Sequence, residues 1–334
     1  MLVVVVIGVA YASAQSEGDV DPGDTDASPG PSTRKAPALL ALSVTGGPKP
    51  LLAIVGTAGS PPAAMAVPQG LTLEVPGAGE LTTRRVAALP GAALQVALSN
   101  AVGAWAAHYA VTDLANLATL IDRNGGLRLE LPGPVTIDDA LFGPGAARMT
   151  GVQVAAYLGE EDQNTFTRWE VVLDALLTSP PHLQDGDLTQ TDDVDGVQAT
   201  LDGAEGGRLE TLPVRVAAAT LRVPDYAALD ELMAARFGVR RTPPVPVIVQ
   251  NAAGGPGVGE AIGRLIIGHG FRITLSQNAE TFDREKTQIV ALGEGHVRDA
   301  RRLGAALGVS RIAVSQVASG IGDIQIVVGK DFAV

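Results

Sequence analysis

Residues 245–280 read VPVIVQNAAGGPGVGEAIGRLIIGHGFRITLSQNAE, and residues 323–334 read DIQIVVGKDFAV. Val245, Val247 and Val249 alternate as in a strand, and a Gly-rich turn follows Asn251. Val258, Ala261, Ile262, Leu265, Ile266 and His269 then share one helical face, Gly270 stops the helix, and Phe271–Leu275 reads as a second strand. The pattern repeats as strand Thr287–Leu292, helix Val297–Leu307 and strand Ile324–Val328. Period two switching to period 3.6 and back gives the order β-α-β-β-α-β. A four-stranded sheet with both helices on one face is the expected result. The turn Gly254-Gly255-Pro256-Gly257-Val258-Gly259 lies between strand and helix, where a dinucleotide fingerprint belongs. Its third glycine position is Glu260, whose carboxylate repels phosphate, and Pro256 has no N–H to donate. The glycines therefore read as a tight turn rather than a nucleotide site.

The 334 residues suggest about two domains. At 46% hydrophobic the chain has enough apolar side chains for a sizeable core. Net charge is −12, which argues against sequence-independent nucleic-acid binding, because that needs a basic surface to displace phosphate counterions. The absence of Cys removes disulfides, thiolate metal sites and Cys nucleophiles together. There is no HExxH or GxSxG motif, so neither a zincin nor an elbow-type serine hydrolase is supported.

Leu2–Ala14 is an apolar run of signal-sequence length ending in a small-residue Ala12-Ser13-Ala14, too short as it stands for the roughly 20 residues of a membrane span. It lacks a preceding basic region, which suits a remnant of a longer anchor; a buried N-terminal strand is the alternative. Residues 1–14 are thus expected to be a signal or anchor remnant. Residues 15–37 are expected to be an acidic, extracytoplasmic tether without the large apolar side chains needed to order it. A globular region follows over 38–238. It has strands at Leu51–Val55, Leu71–Val75, Tyr109–Val111 and Leu127–Leu131, and a helical stripe from Leu94 to Trp105. A second helix is capped by Thr112 or Asp113, Phe166–Leu177 is helical, strand character returns over Leu209–Leu221, and Tyr226–Phe237 is a helix begun by Asp225. Between them Ser179–Gly207 reads as a solvated acidic insertion without the grammar of a calcium loop. Residues 239–244 form a stiff linker into the module at 245–334.

That last module, with its strand ending in Asn251, its GGPGVG turn and its terminal VVGKDF, resembles the C-terminal domain of the LytR–CpsA–Psr family of envelope proteins. Four stretches of the middle region resemble the catalytic domain of the same family: AVPQG at Ala66–Gly70, HYAVTDLANLATLIDRNGGLRLEL at His108–Leu131, FGPGAARMTGVQVAAYL at Phe142–Leu158 and RWEVVLDALL at Arg168–Leu177. The resemblance implies a mixed-sheet α/β domain. It also implies transfer of a glycopolymer from a polyprenyl-pyrophosphate carrier to peptidoglycan, through a lipid-lined cavity, several Arg, a carboxylate and usually a divalent cation such as Mg²⁺. The chemistry explains the set: guanidinium forks and a metal offset the charge of a pyrophosphate leaving group.

The sequence departs from the family pattern at those positions. The family's Arg-Asp pair is Gln69-Gly70 here, after Val67-Pro68. Its Tyr-Val-Arg-x-Arg is Tyr157-Leu158-Gly159-Glu160-Glu161, so Gly159 and Glu161 replace two guanidiniums. Asp162 and Arg168 fit the ends of a later Asp/Arg motif, with Thr165 in place of its middle Arg. One lost charged hydrogen-bonding group costs roughly 3–4 kcal/mol of transition-state stabilisation, and several together abolish useful rate. The expectation is a catalytically inactive relative without a cofactor or metal site. It is expected to lie outside the cytoplasm, anchored or secreted, and to bind a wall polymer, a polyprenyl-linked ligand or an envelope partner. Alternatives are an active phosphotransferase with relocated charges, using Mg²⁺, and a peptidoglycan-binding module. Arg84, Arg85, Arg123, Arg148 and Arg168 are the residues able to carry relocated charge. Arg298, Arg301 and Arg302 form a basic helix face that is either plainly solvated or a contact for an anionic polymer.

Overall fold

The structure is a computed structural model and describes residues 38–218, 220–239, 242–317 and 319–332. The signal-like run and the acidic tether lie outside the described residues, as do Arg240 and Arg241 of the linker.

The first domain begins with β1 (Leu39–Thr45), β2 (Leu51–Gly56), β3 (Ala63–Val67), the hairpin β4 (Thr72–Val75) and β5 (Gly79–Thr82), the single turn α1 (Thr83–Val86) and α2 (Gly91–Val102). It continues with β6 (His108–Asp113), α3 (Leu114–Arg123), β7 (Leu127–Leu131), the hairpin β8 (Val135–Ile137) and β9 (Ala140–Phe142), β10 (Gly145–Met149), α4 (Gly151–Gly159) and α5 (Thr165–Thr178). It closes with β11 (Gln190–Thr191), α6 (Val194–Gly203), β12 (Arg208–Thr211), β13 (Val214–Ala218), β14 (Leu221–Pro224) and α7 (Tyr226–Leu232), which loosens into a π-helical turn over Met233–Phe237. Six strands form the main sheet in the order β11-β6-β1-β2-β3-β12, with β1 parallel to β6, β3 parallel to β12 and the other pairs antiparallel.

Both faces of this sheet are covered. Leu40, Val55 and Ala64 pack on α3, α4 and α5, with Trp169 fully buried among them. Leu52, Ile54 and Met65 face α2, β4 and the Phe237 turn. Burial on both faces is why β2 and β3 are continuous apolar runs rather than alternating ones. Asp113, not Thr112, caps α3, its carboxylate accepting from Asn116 N at 2.8 Å. The expected stripe to Trp105 is cut at Val102, because Gly103 takes a left-handed conformation (φ 62°) and ends α2.

The acidic interval at 179–207 is not a solvated insertion. Its Leu183 and Val197 are buried, β11 joins the sheet edge, and α6 packs on the first core. Its Asp187 is buried and ion-paired to Arg123, which lowers the Asp187 pKa by a charged hydrogen bond. Asp192 accepts from Tyr109 N at 3.0 Å. Acid-rich composition misled here because each of these carboxylates has a fixed partner far away in sequence.

The C-terminal domain comprises β15 (Val245–Asn251), α8 (Val258–Ile266), β16 (Phe271–Asn278), β17 (Gln288–Leu292), α9 (Val297–Leu307), β18 (Ile312–Ser315) and β19 (Ile324–Val328). The β-α-β-β-α-β order is present with one more strand than expected, β18, giving a five-stranded sheet ordered β16-β15-β19-β17-β18. β18 is short, only partly covered and at the edge, so its four residues carry a weak period-two signal. Two parallel β-α-β units, β15-α8-β16 and β17-α9-β18, run in opposite senses and are joined through β19. Both helices cover one face, where Val247, Ile273 and Ile326 meet Ile262 and Leu303.

The two domains share a built junction. The fully buried Asn100 of α2 pairs its amide with the β16 edge, accepting from Ile273 N at 2.8 Å and donating to Ile273 O at 2.9 Å. This blocks the open edge of β16 much as another strand would. Glu74 accepts from Ser276 N at 2.8 Å, and Gly77 N donates to Ser276 Oγ at 3.0 Å. Arg272 pairs with Asp230 at 2.6 Å while lying over the Tyr226 ring. Gly259 must be glycine for this approach: a Cβ there would lie 2.3 Å from Gly77 N. A domain junction thus accounts for one glycine of the GGPGVG turn.

Candidate functional site

Loops from distant parts of the first domain enclose a cleft of about 920 Å³. The turn after β3 supplies Gln69 and Gly70, the α4–α5 connection Glu161, the turn after β1 Lys49, α1 Arg84, and β14 Arg222. Pro48, Pro50, Pro68, Pro213 and Phe166 make its apolar wall. Gly70 needs its glycine for conformation, at φ 69°, and an added Cβ there would meet open space. Gln69 Nε2 is buried with no hydrogen-bond partner among the described residues.

Three cations (Lys49, Arg84 and Arg222) face one carboxylate (Glu161) in this cleft, within a chain of net charge −12. Arg84 and Arg222 are exposed and make no ion pair with a described residue. The cleft is therefore a local positive site suited to an anion. Of the family-position residues, Gln69, Gly70 and Glu161 are brought together here. Lys49 and Arg222 were not identifiable from sequence: they lie in unrelated segments, and only the fold sets them opposite Gln69.

The remaining family-position residues form a separate structural knot. Arg168 is buried and donates to Asp162 at 2.7 Å and to Glu160 at 2.6 Å. It also donates to Glu160 O at 3.1 Å and lies over the Tyr157 ring at 5.5 Å. Thr165 is buried and donates to the Asp162 and Glu160 carbonyls. Gly159 ends α4 and faces open space. With its charge committed to two carboxylates, Arg168 closes the α4–α5 turn and is not available to an incoming phosphate.

The same knot bears on a divalent cation. Both Asp162 oxygens are engaged, Oδ1 by Asn164 N and Oδ2 by Arg168, and Gly70 offers no ligand. No cluster of three or more His, Asp or Glu placed for a metal occurs among the described residues. The residues present do not fit Mg²⁺.

Behind the sheet, between β1, α3, α5 and α6, the apolar lining that includes Leu42, Leu117, Leu173 and Leu201 encloses only about 50 Å³. Ligand pockets run to roughly 300–1,000 Å³. The side chains of this layer have closed on each other.

The other arginines read as structural or solvated. Arg123 binds Asp187 and His182 O, and Arg148 donates twice to Gly125 O, at 2.9 and 2.6 Å. Arg85 is exposed outside the cleft. On α9, Asp299 lies within 3.4 Å of Arg302 and 4.0 Å of Arg298, while Arg302 stacks over Phe271. Arg301 is exposed. One carboxylate thus dilutes the expected basic face. No described helix is long and apolar enough to cross a membrane.

Residues 244–332 match the LytR_C family, described as LytR cell envelope-related transcriptional attenuator. No curated protein matches the chain. Among solved structures the chain is similar to TagV of B. subtilis, with a TM-score of 0.48 and 13% identity over 59% of this chain and 94% of that one. It is similar to the LytR-Csp2A-Psr enzyme from Actinomyces oris, with a TM-score of 0.46 and 17% identity over 60% of this chain and 90% of that one. It is also similar to TagT of B. subtilis in a structure with bound octaprenyl pyrophosphate, with a TM-score of 0.47 and 12% identity over 61% of this chain and 91% of that one.

Proposed function

We propose that this chain, which ends in a LytR C-terminal domain, is an envelope protein whose first domain keeps the shape of a LytR–CpsA–Psr domain without its transfer chemistry. Its cleft binds the anionic backbone of a wall polymer outside the cytoplasm. The observation that carries this reading is the reassignment of charge. Arg168, at a family position, is spent on Glu160 and Asp162, whereas Lys49, Arg84 and Arg222 surround an open cleft whose lining holds a single carboxylate, Glu161. A trio of cations attracts phosphodiesters, and a single carboxylate without a metal set leaves the family's transfer chemistry incomplete. The roughly 50 Å³ left behind the sheet favours a polymer over a prenyl chain as the ligand.

The test is titration of the full chain with soluble poly(glycerol phosphate). Binding is expected to weaken steeply with salt, and the double variant Arg84→Glu/Arg222→Glu should lower affinity at least tenfold at 50 mM salt. Unchanged affinity in that variant would remove the cleft from consideration.

A further inference from the structure

A second groove of about 500 Å³ lies at the domain junction, away from the cationic cleft. Its floor is the carboxyl ends of the parallel strands β15 and β16 with the start of α8, and its far wall is the Gly77–Gly79 turn of the first domain. In α/β sheets this end of the strands is where ligands are received.

The chemistry of the lining is distinctive. No ionisable side chain lines it among the described residues: the polar side chains are the amides of Asn251, Gln277 and Asn278 and the Ser276 hydroxyl. Asn251 is spent on the turn, accepting from Ala253 N and Gly254 N and donating to Gly255 O. Gln277 and Asn278 are exposed, and Asn278 meets only Asn251, at 3.4 Å. Phe282 lies against Gly254 with about half its surface (48%) exposed to the groove and solvent. A charged ligand would find no counter-charge here. An apolar ligand would leave amides unpaired. The ligand that satisfies both constraints is neutral and hydroxyl-rich, with an apolar C–H face to lie on a ring: an oligosaccharide. Amides both donate to and accept from hydroxyls, and the aromatic face supplies contact area.

We propose that the groove between the Gly77–Gly79 turn and the β15–β16 strand ends is a binding site for a neutral oligosaccharide, completed by both domains. The Gly77–Ser276 bond and the Gly259 approach hold its two walls in register. The Gly-rich turn then has two roles, close packing against Gly77 and a low wall, with only Pro256 and Val258 carrying side chains, beside a flat ligand.

The experiment is calorimetric titration of the full chain with tri-N-acetylchitotriose and with maltotriose, both to 10 mM. At least one is expected to bind. Phe282→Ala should weaken it at least fivefold, and Ala78→Trp, an exposed position on the opposite wall, should block it. Both variants alter exposed side chains, and an unchanged thermal midpoint separates loss of the site from loss of the fold. No heat from either sugar in the wild-type chain would overturn the proposal. So would binding indifferent to both variants, or competition by inorganic phosphate at equal concentration.

Discussion

Burial holds the Glu74 pKa up at about 7, against an ordinary 4.5, with Glu80 directly across the β4–β5 hairpin adding to the rise and the Ser276 N–H opposing it. The native protein keeps this proton up to near neutrality, whereas the unfolded chain releases it near 4.5. The contribution is therefore fully present below pH 4.5 and is lost as the pH climbs through 7. Glu74→Gln keeps the acceptor for Ser276 and removes the titration. Its urea midpoint is expected to exceed that of the wild-type protein at pH 8 and to match it at pH 4.5; equal pH slopes for the two proteins would contradict the assignment. No local pattern predicts this residue. Glu74 stands in an alternating strand, LTLEV at 71–75, where a lone acid normally points to water; here it is buried where β4 packs against β16, with Ser276 N as its donor. Gln69, Gly70 and Glu161, by contrast, were identifiable because they fall within stretches that resemble a family pattern, and they do meet in one cleft.

Arg272 of β16 and Asp230 of α7 form the most buried ion pair of the domain junction, with side chains 5% and 14% exposed. Arg272 Nε already lacks a hydrogen-bond partner among the described residues. Asp230→Ala leaves a guanidinium enclosed without its counter-charge, a change that costs about 3–5 kcal/mol. A single cooperative transition at a much lower denaturant midpoint is expected. A loss under 1 kcal/mol would mean that the two domains do not depend on this pair. Elements with a full amphipathic period were legible in sequence: α8, α9 and α5 stand where Ile262, Leu303 and Trp169 put them. β18 was not, because four half-covered residues carry too little pattern. α6 was obscured by the acids around it, whose partners Arg123 and Tyr109 lie 64 and 83 residues away. Long-range pairing of this kind leaves no trace in a local window.

For the molecule as a whole, the two modules read from sequence are present and meet through direct contacts. Asn100, Glu74 and Gly259 dock one on the other. The docking presents two sites of opposite character, a cationic cleft on the first domain and an uncharged groove at the junction. In the proposed reading the first domain keeps its fold without transfer chemistry, and Arg168 braces the α4–α5 turn through Glu160 and Asp162. The most direct measurement is a transfer assay in which the purified chain, Mg²⁺, a polyprenyl-pyrophosphate-linked glycopolymer and peptidoglycan are incubated and the insoluble fraction is assayed for covalently attached polymer. The account predicts none above the no-protein control. Time-dependent attachment that disappears in Arg84→Ala/Arg222→Ala would contradict it and would show that the cleft's relocated cations do the chemistry that Gln69 and Gly70 cannot.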